Sequence, residues 1–214
     1  ELKLLEGCQR LIRDCLIENP EVRVAQDLQT ENWVLRYQAG DEKALAPLMD
    51  HWQQRIYNLA YKMVGDEATA KDILQKTFIK VYQHLNKLEE ADKFRPWVYK
   101  IAVNFCHSEL RKTKRTESIS EQNSGMLVAS SVTDHRIEQK ELKDLIWTTL
   151  GQIPEEQKTV IIMKEYEGFK FQEIADILDI SINTAKSRLY YGLRSMKKLL
   201  SENPHTKAYY YEYH

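Results

Sequence analysis

Residues 171–200 read FQEIADILDISINTAKSRLYYGLRSMKKLL and have the apolar spacing of two helices separated by a short turn. The first helix has an apolar face formed by Phe171, Ile174, Ala175 and Leu178. Asp179-Ile180-Ser181 interrupts that spacing, and Ser181 is a favourable N-cap for the second helix. The buried side of the second helix consists of Ile182, Ala185, Leu189, Leu193 and Met196. The pattern predicts a helix-turn-helix.

The exposed side of the second helix is basic. Between Ser181 and Leu200 there are five basic residues and no acidic residue. Arg and Lys donate to guanine edges in the major groove, and Ser, Thr and Tyr reach phosphates or base edges. A charged, solvated helix in an ordinary helical hairpin is the simpler interpretation, but the turn in front of it favours DNA binding. The candidate duplex-binding residues are Thr184, Lys186, Ser187, Arg188, Tyr190, Tyr191 and Arg194.

The remainder of the chain is also organised as helices. Seven glycines and five prolines in 214 residues are about half the usual share, which favours helices over a sheet-rich fold. Composition and apolar spacing predict an all-α fold of two small helical domains joined by a flexible linker. The predicted segments are an N-terminal helical extension (1–29), a first domain (30–115), the linker (116–139), a second domain (140–200) and a tyrosine-rich tail (201–214).

Basic and aromatic residues are interleaved at the end of the first domain. Such a mixture suits single-stranded nucleic acid, because bases stack on rings while cations follow the backbone. We expect Trp97 and Ile101 to face the core and Tyr99 to be accessible. The candidate single-strand residues are Lys93, Arg95, Tyr99, Lys100, Asn104, Arg111, Lys112, Lys114 and Arg115. Further upstream, apolar helix faces are marked by Leu35, Leu45, Leu48, Ile56, Leu59, Ala60 and Met63.

Several classes of protein are disfavoured by the sequence. The net charge is −1, so only the local distribution of charge can indicate a nucleic acid partner. There is no apolar run long enough for a transmembrane helix and no secretory signal pattern at the start, and the three cysteines form no C-x-x-C pair. No nucleophile–base pair, metal-ligand cluster or phosphate-binding glycine loop is evident. We therefore expect a reduced, cytoplasmic protein that is not an enzyme and needs no cofactor or metal.

Three motifs resemble those of bacterial RNA polymerase sigma factors of the extracytoplasmic-function (ECF) group. Residues 72–78, DILQKTF, are similar to a D-x-x-Q-x-x-F helix of sigma factors. Residues 94–104, FRPWVYKIAVN, resemble the F-x-x-W-L-x-x-I-A-x-N helix of the ECF group. Leu150-x-x-Ile153-Pro154, together with the helix-turn-helix, resembles the fourth conserved region of that group. The order and spacing of the three motifs support the resemblance over about residues 33–115 and 140–200.

The resemblance implies a division of labour between the two domains. The first would be sigma region two, in which Asp72, Gln75 and Phe78 bind the clamp helices of the polymerase β′ subunit. The loop Asn86–Lys93 and the helix after it would hold the melted minus-ten element. The second domain would be region four and would read the minus-thirty-five element as duplex. The implied partners are core RNA polymerase (β′ and β subunits), promoter DNA and an anti-sigma factor.

Some features lie outside the resemblance or depart from it. Asn183 stands where many relatives have Gly, and Tyr191 stands where a basic residue is frequent, so both bear on which promoter is read. The extension 1–29 is not covered. Its apolar face favours a helix that packs on its own protein, and regulation in cis or partner binding is the other hypothesis. Two other functions remain as alternatives to a sigma factor. One is a stand-alone helix-turn-helix transcriptional regulator, and the other is a helical adaptor that binds an acidic protein.

Overall fold

The computed structural model describes residues 20–117 and 144–202, and these residues contain helices and no strand. They divide into two compact units, here called the first unit (20–117) and the second unit (144–202). The helices of the first unit are α1 (Pro20–Gln38), α2 (Leu45–Val64), α3 (Glu67–His84) and α4 (Phe94–Glu117). The second unit contains α5 (residues 144–151), α6 (Glu155–Ile161), α7 (Phe171–Leu178) and α8 (Ile182–Glu202). The predicted all-α architecture is confirmed.

The core of the first unit is built around the fully buried indole of Trp52 on α2. The ring centroid of Trp52 lies 5.5 Å from that of Phe94 and 6.1 Å from that of Tyr99, both edge-on. Its Nε1–H donates to Thr30 Oγ1 at 3.1 Å, which satisfies the one polar atom of the indole inside the core. Trp52 therefore fastens α1 and α4 to α2.

Local sequence signals set the junction between α2 and α3. Gly65 ends α2 in the left-handed region at φ 76°, a conformation that costs glycine little. Asp66 caps α3, because its Oδ2 accepts from the Thr69 hydroxyl and from the Thr69 backbone N–H, both at 2.7 Å. Both bonds hold the pKa of the Asp66 carboxyl below its usual range, and the bond from the Thr69 hydroxyl has the larger effect.

The second unit has a core that is mainly aliphatic, and α8 crosses α6 closely at Gly192. A Cβ atom at Gly192 would lie 2.7 Å from Ile161 Cδ1 and 3.1 Å from Gln157 Cβ. Both approaches are tighter than ordinary van der Waals contact, so glycine permits this crossing. Ile162–Tyr166 continue α6 as one turn of π-helix.

Some predicted boundaries and contacts are wrong. Helix α1 runs from Pro20 to Gln38 without a break, so the expected boundary at 29/30 falls inside one helix. Thr116 and Glu117 were expected in the linker but belong to α4. Leu35 was expected on a buried face, yet 58% of its surface is exposed, because α1 turns Val34 and Thr30 toward the core instead.

Parts of four predicted segments lie outside the described residues, namely 1–19 of the extension, 118–139 of the linker, 140–143 of the second domain and 203–214 of the tail. No helix among the described residues is long and apolar enough to cross a membrane.

Candidate nucleic-acid interface

The turn between α7 and α8 adopts the geometry that its sequence predicts. Asp179 ends α7 at φ 55°, the left-handed conformation that Asp tolerates better than most residues. The backbone N–H of Ile180 donates to Ala175 O at 3.0 Å and closes the end of α7. Ser181 Oγ then accepts from the Thr184 backbone N–H at 3.0 Å, so Ser181 caps α8 as expected. The turn thus fixes the direction in which α8 leaves α7.

Helix α8 has one buried and one exposed side along most of its length. The buried side consists of Ala185, Leu189, Gly192, Leu193, Met196 and Leu200. Of the candidate duplex-binding residues, the exposed ones are Lys186, Ser187, Tyr190, Tyr191 and Arg194. Thr184 and Arg188 are half-buried at the margin of the helix. The structure therefore places all seven candidates on or beside one solvent-facing surface.

Several of these side chains also make contacts within the second unit. The hydroxyls of Ser181 and Thr184 are 2.8 Å apart, and Ser187 Oγ donates to Thr184 O at 3.0 Å. The rings of Tyr190 and Tyr191 meet edge-on with centroids 5.6 Å apart, while 54% of the surface of Tyr191 is exposed. The surface of α8 offers cations, hydroxyls and two aromatic rings, which is a set suited to the edges and phosphates of a duplex.

A second candidate site lies in the first unit, where α3 ends and α4 begins. The chain makes two short turns there, Leu85–Lys87 and Ala91–Lys93. They border a cleft of about 490 Å³, here called the α3–α4 cleft. Its lining residues are His84, Lys87, Leu88, Glu89, Glu90, Lys93 and Trp97. The cleft combines one indole ring with side chains of both charges, so it can hold a planar group and pair with its polar edge.

Most candidate single-strand residues lie on the surface. The exposed ones are Lys93, Lys100, Asn104, Arg111, Lys112 and Arg115, and Arg95 is half-buried. The side chain of Lys114 lies outside the described residues. Lys112 Nζ donates to Glu109 Oε1 at 2.9 Å, so it is held on its own helix. The candidates follow α4 from the cleft toward its C-terminal end.

The expectation that Tyr99 is accessible is wrong. Its side chain is fully buried and packs edge-on against Trp52. The reason is the start of α4 at Phe94, which directs Phe94, Val98 and Ala102 inward and places Tyr99 beside them. Trp97 falls at the edge of that face and lines the cleft while half-buried, so Trp97, expected in the core, supplies the aromatic ring of this site.

The predicted polymerase-binding residues lie on α3. Asp72 and Gln75 are exposed and Phe78 is half-buried. The carboxylate of Asp72 is paired with Lys76, whose Nζ lies 2.5 Å from Oδ2 and 3.3 Å from Glu109 Oε1 on α4. The pKa of Lys76 is raised, chiefly by its hydrogen bond to Asp72. Desolvation opposes this effect, and the hydrogen bond to Glu109 adds to it. This ion-pair cluster links α3 to α4.

Sequence reasoning missed two apolar residues further along the same helix. Ile79 and Tyr82 are 47% and 61% exposed. Their spacing of seven and ten residues from Asp72 places them on the same side of α3. The signal was present in the sequence as apolar residues off the buried period set by Ile73, Thr77 and Val81.

Comparison with known families accounts for both units. A family model described as Sigma-70 region 2 matches residues 48–116, and one described as Sigma-70, region 4 matches residues 143–196. A curated relative, the ECF RNA polymerase sigma factor SigW of Bacillus subtilis, is 28% identical over 185 residues, which cover 82% of this chain and 99% of the relative. The ECF RNA polymerase sigma-E factor of Haemophilus influenzae is 28% identical over 78% of this chain and 93% of its own.

The chain belongs to the ECF group of sigma factors. The resemblance drawn from its motifs is confirmed, and so is its role in transcription initiation. The region-two match lies within the first unit and the region-four match falls on the second unit, apart from residue 143.

Two solved structures share the fold of this sigma factor. CnrH, in complex with the cytosolic domain of CnrY, aligns with a TM-score of 0.59 at 18% identity and covers 82% of this chain and 99% of its own. The sigma factor RpoE of Bartonella quintana, in complex with the anti-sigma factor NepR, aligns with a TM-score of 0.55 at 20% identity. The alignment covers 70% of this chain and 91% of the RpoE chain.

Proposed function

We propose that this sigma factor binds core RNA polymerase and directs it to promoters through two separate DNA sites, the exposed side of α8 and the α3–α4 cleft. The observation that carries the proposal is the coincidence of each site with one of the two matched sigma regions. In this role the chain acts in the cytoplasm, takes no catalytic part and leaves the phosphodiester chemistry to the polymerase. Each site alone binds weakly, and the polymerase holds both so that they act together through effective concentration.

The second unit reads duplex DNA at the minus-thirty-five element. Five basic residues on or beside the exposed side of α8 supply the positive charge that phosphates attract. Arg188, at the margin of the helix, is the residue best suited to donate to a base edge, because a guanidinium can form two parallel hydrogen bonds to guanine. Lys198, which is exposed near the end of α8, is positioned for a phosphate instead.

The first unit holds the melted strand of the minus-ten element. Unpairing costs a few kcal/mol per flipped base, and stacking on a ring offsets this by ~1–3 kcal/mol. Trp97 provides the ring in the cleft, and Lys87 and Lys93 provide cations beside it. Glu89 and Glu90 would repel phosphates, so the interior of the cleft suits an uncharged base edge. The basic residues of α4, from Arg95 to Arg115, follow the backbone of the strand.

The polymerase-binding surface is the outer side of α3. Asp72, Gln75 and Phe78 begin it, and the exposed side chains of Ile79 and Tyr82 extend it. Apolar side chains that cluster on an exposed surface are typical of binding sites, and Phe78, Ile79 and Tyr82 lie within about one turn of α3. The partners of CnrH and of the Bartonella quintana RpoE suggest that an anti-sigma factor binds this chain too.

The first experiment is size-exclusion co-elution with bacterial core RNA polymerase, followed by transcription from genomic fragments with the complex. The full chain is compared with a chain that lacks residues 1–19, because a cut at residue 29 would remove half of α1. Co-elution and new transcripts support the proposal, and stronger binding by the shortened chain would make 1–19 inhibitory. Failure to bind polymerase, with specific binding of duplex DNA by the chain alone, would favour a stand-alone helix-turn-helix regulator.

A matched pair of variants tests the duplex site. Arg188→Ala should cost ~1–3 kcal/mol on the selected promoter and relax specificity at one base pair. Lys198→Ala removes the same charge, so it should weaken all sequences equally and lower the salt dependence of binding by about one ion. Electrophoretic mobility shifts at several salt concentrations separate the two effects. Equal losses on cognate and unrelated DNA for both variants would show that Arg188 reads no base.

A further inference from the structure

A glutamine far away in sequence holds one wall of the α3–α4 cleft. Gln38 is the last residue of α1, and its Nε2 donates to Leu85 O at 3.0 Å and to Leu88 O at 2.7 Å. These partners are 47 and 50 residues along the chain. Both acceptors are carbonyl oxygens, so the amide directs its NH₂ group toward them and donates one N–H to each.

The two carbonyls belong to the segment that leads from α3 into the cleft. Leu85 begins the short turn Leu85–Lys87 and is fully buried, which anchors that end of the segment. Leu88 follows in extended conformation and lines the cleft. A carbonyl in extended backbone has no helical partner, and an unpaired one inside a protein is costly. The amide of Gln38 meets that need and fixes the orientation of the wall.

Gln38 is itself held in place by the end of α1. The Arg36 guanidinium donates to Asp41 Oδ2 from Nη2 at 2.6 Å and from Nε at 3.0 Å. Gly40 turns the chain in the left-handed region at φ 98°. The Ala39 backbone N–H donates to Leu35 O at 3.0 Å, which keeps the last turn of the helix closed. The amide therefore extends from a fixed helix end toward the wall of the cleft.

We propose that Gln38 is a positioning residue for the minus-ten site: it sets the wall against which an unpaired base lies beside Trp97. The proposal rests on the proposed function, because it assigns the cleft to a base of the melted strand. Gln38 lies outside the matched region-two segment, and its two hydrogen bonds reach the backbone carbonyl oxygens of Leu85 and Leu88. It acts through the backbone of Leu85 and Leu88.

The test uses the full chain bound to core polymerase and the variant Gln38→Glu. Glutamate has the same shape, but its carboxylate cannot donate and faces two carbonyl oxygens. The control is Gln83→Glu, which makes the same change at an exposed residue of α3 next to the cleft residue His84. The probe is a single-stranded non-template oligonucleotide of the selected promoter, intact or with an abasic site at each position of the minus-ten element in turn.

The expected result is a coupling between the residue and one base. With the natural chain, one abasic position should weaken binding about tenfold, the scale of one lost stacking contact. With Gln38→Glu, the intact oligonucleotide should bind about tenfold more weakly, and that abasic position should then change binding less than twofold. Gln83→Glu should keep the tenfold sensitivity. Polymerase co-elution and duplex binding by α8 should be unchanged in both variants. Thermal unfolding should be unchanged in Gln83→Glu and only modestly lower in Gln38→Glu, because two carbonyl oxygens lose their donor while the first unit stays folded.

Two outcomes overturn the proposal. If Gln38→Glu keeps the full sensitivity to the abasic site, the residue does not position the base. If it lowers thermal stability or polymerase binding and weakens all oligonucleotides equally, Gln38 serves the fold alone. A separate result, in which the natural chain is insensitive to every abasic position, would instead contradict the assignment of the cleft to a base.

Discussion

The two units of this sigma factor distribute charge over their proposed nucleic-acid sites in opposite ways. In the second unit the basic side chains are concentrated on one long helix, which contains no acidic residue before Glu202. In the first unit acidic and basic residues are mixed around the cleft and along α3, and Glu109 on the mainly basic α4 pairs with Lys76 and Lys112. A uniform cationic surface suits a duplex, whose outside is phosphate, whereas a mixed cleft suits an exposed base.

The hydrophobic cores of the two units also differ. The first unit is centred on an indole that packs edge-on against the rings of Phe94 and Tyr99 and donates a hydrogen bond to a threonine on α1. The second unit packs aliphatic residues and brings α6 and α8 together at a glycine. The first core therefore depends on one large side chain, while the second depends on close approach of two backbones. This difference predicts where each unit is most easily broken.

The largest expected effect is the loss of the first core in Trp52→Ala. Removing a buried Trp side chain costs ~3–5 kcal/mol, because packing is lost and a cavity remains. The free energy of unfolding should fall by that amount in the first unit, and the second unit should keep its stability. Hydrogen–deuterium exchange with mass spectrometry, read on peptides from each unit of the full chain, measures both at once.

The reciprocal control for Trp52→Ala is Trp147→Ala. Trp147 is half-buried in the second unit and packs edge-on against Tyr166 with ring centroids 5.7 Å apart. This change should lower protection in the second unit alone, and by less than the Trp52 change, because less of the indole is buried. Loss of protection in both units from either change would show that they fold as one cooperative body.

Local features of the fold could be predicted from the sequence, because their causes lie within a few residues. The cap formed by Ser181, the start of α3 at Asp66 and the turn before α8 follow from neighbouring residue types. The accessibility of Tyr99 could not be predicted, because it depends on where α4 begins and on Trp52, 47 residues away. The role of Gln38 was equally hidden, since no local pattern joins an amide to two distant carbonyls.

The next largest expected effect is on the crossing of α6 and α8 in the second unit, and it is tested by replacing two glycines of that unit with alanine. At Gly151 an added Cβ meets nothing within 4 Å, so Gly151→Ala should stabilise the second unit by ~0.5 kcal/mol through helix propensity. At Gly192 the same change gains up to ~1 kcal/mol of propensity but incurs ~1–3 kcal/mol of overpacking against Ile161. We expect Gly192→Ala to destabilise the second unit by about 1 kcal/mol.

Chemical unfolding followed by the same exchange measurement tests this pair. A third variant, Gly192→Ala with Ile161→Val, removes the Cδ1 atom nearest the new Cβ and should recover part of the loss. If Gly192→Ala is as stabilising as Gly151→Ala, the two helices can separate at no cost, and the crossing does not depend on glycine.

The smallest effect is acid sensitivity, and it is expected in the first unit, where Glu109 joins α3 to α4. Glu109 accepts a hydrogen bond from Lys112 Nζ at 2.9 Å and another from Lys76 Nζ at 3.3 Å. The bond from Lys112 is the main reason that the pKa of Glu109 lies below its usual range; the bond from Lys76 adds to this effect, and partial desolvation opposes it. The pKa of Asp66 is also lowered, chiefly by the Thr69 hydroxyl. A carboxyl whose pKa is lower in the folded state stabilises that state above its unfolded pKa, and this contribution is lost as the pH falls through the folded pKa.

The contribution of these carboxyls to the unfolding free energy of the first unit should therefore be constant from neutral pH to about pH 5 and fall below about pH 4.3, the usual pKa of an unfolded glutamate. Urea unfolding of a Trp147→Phe chain measures this, because its three remaining tryptophans all lie in the first unit. Glu109→Gln should make the decrease shallower, since the glutamine does not titrate. Glu89→Gln makes the same charge change at an exposed residue and should leave a slope steeper than that of Glu109→Gln. Identical slopes for the two variants would show that the lysine pairs of Glu109 add nothing to the stability of the folded state.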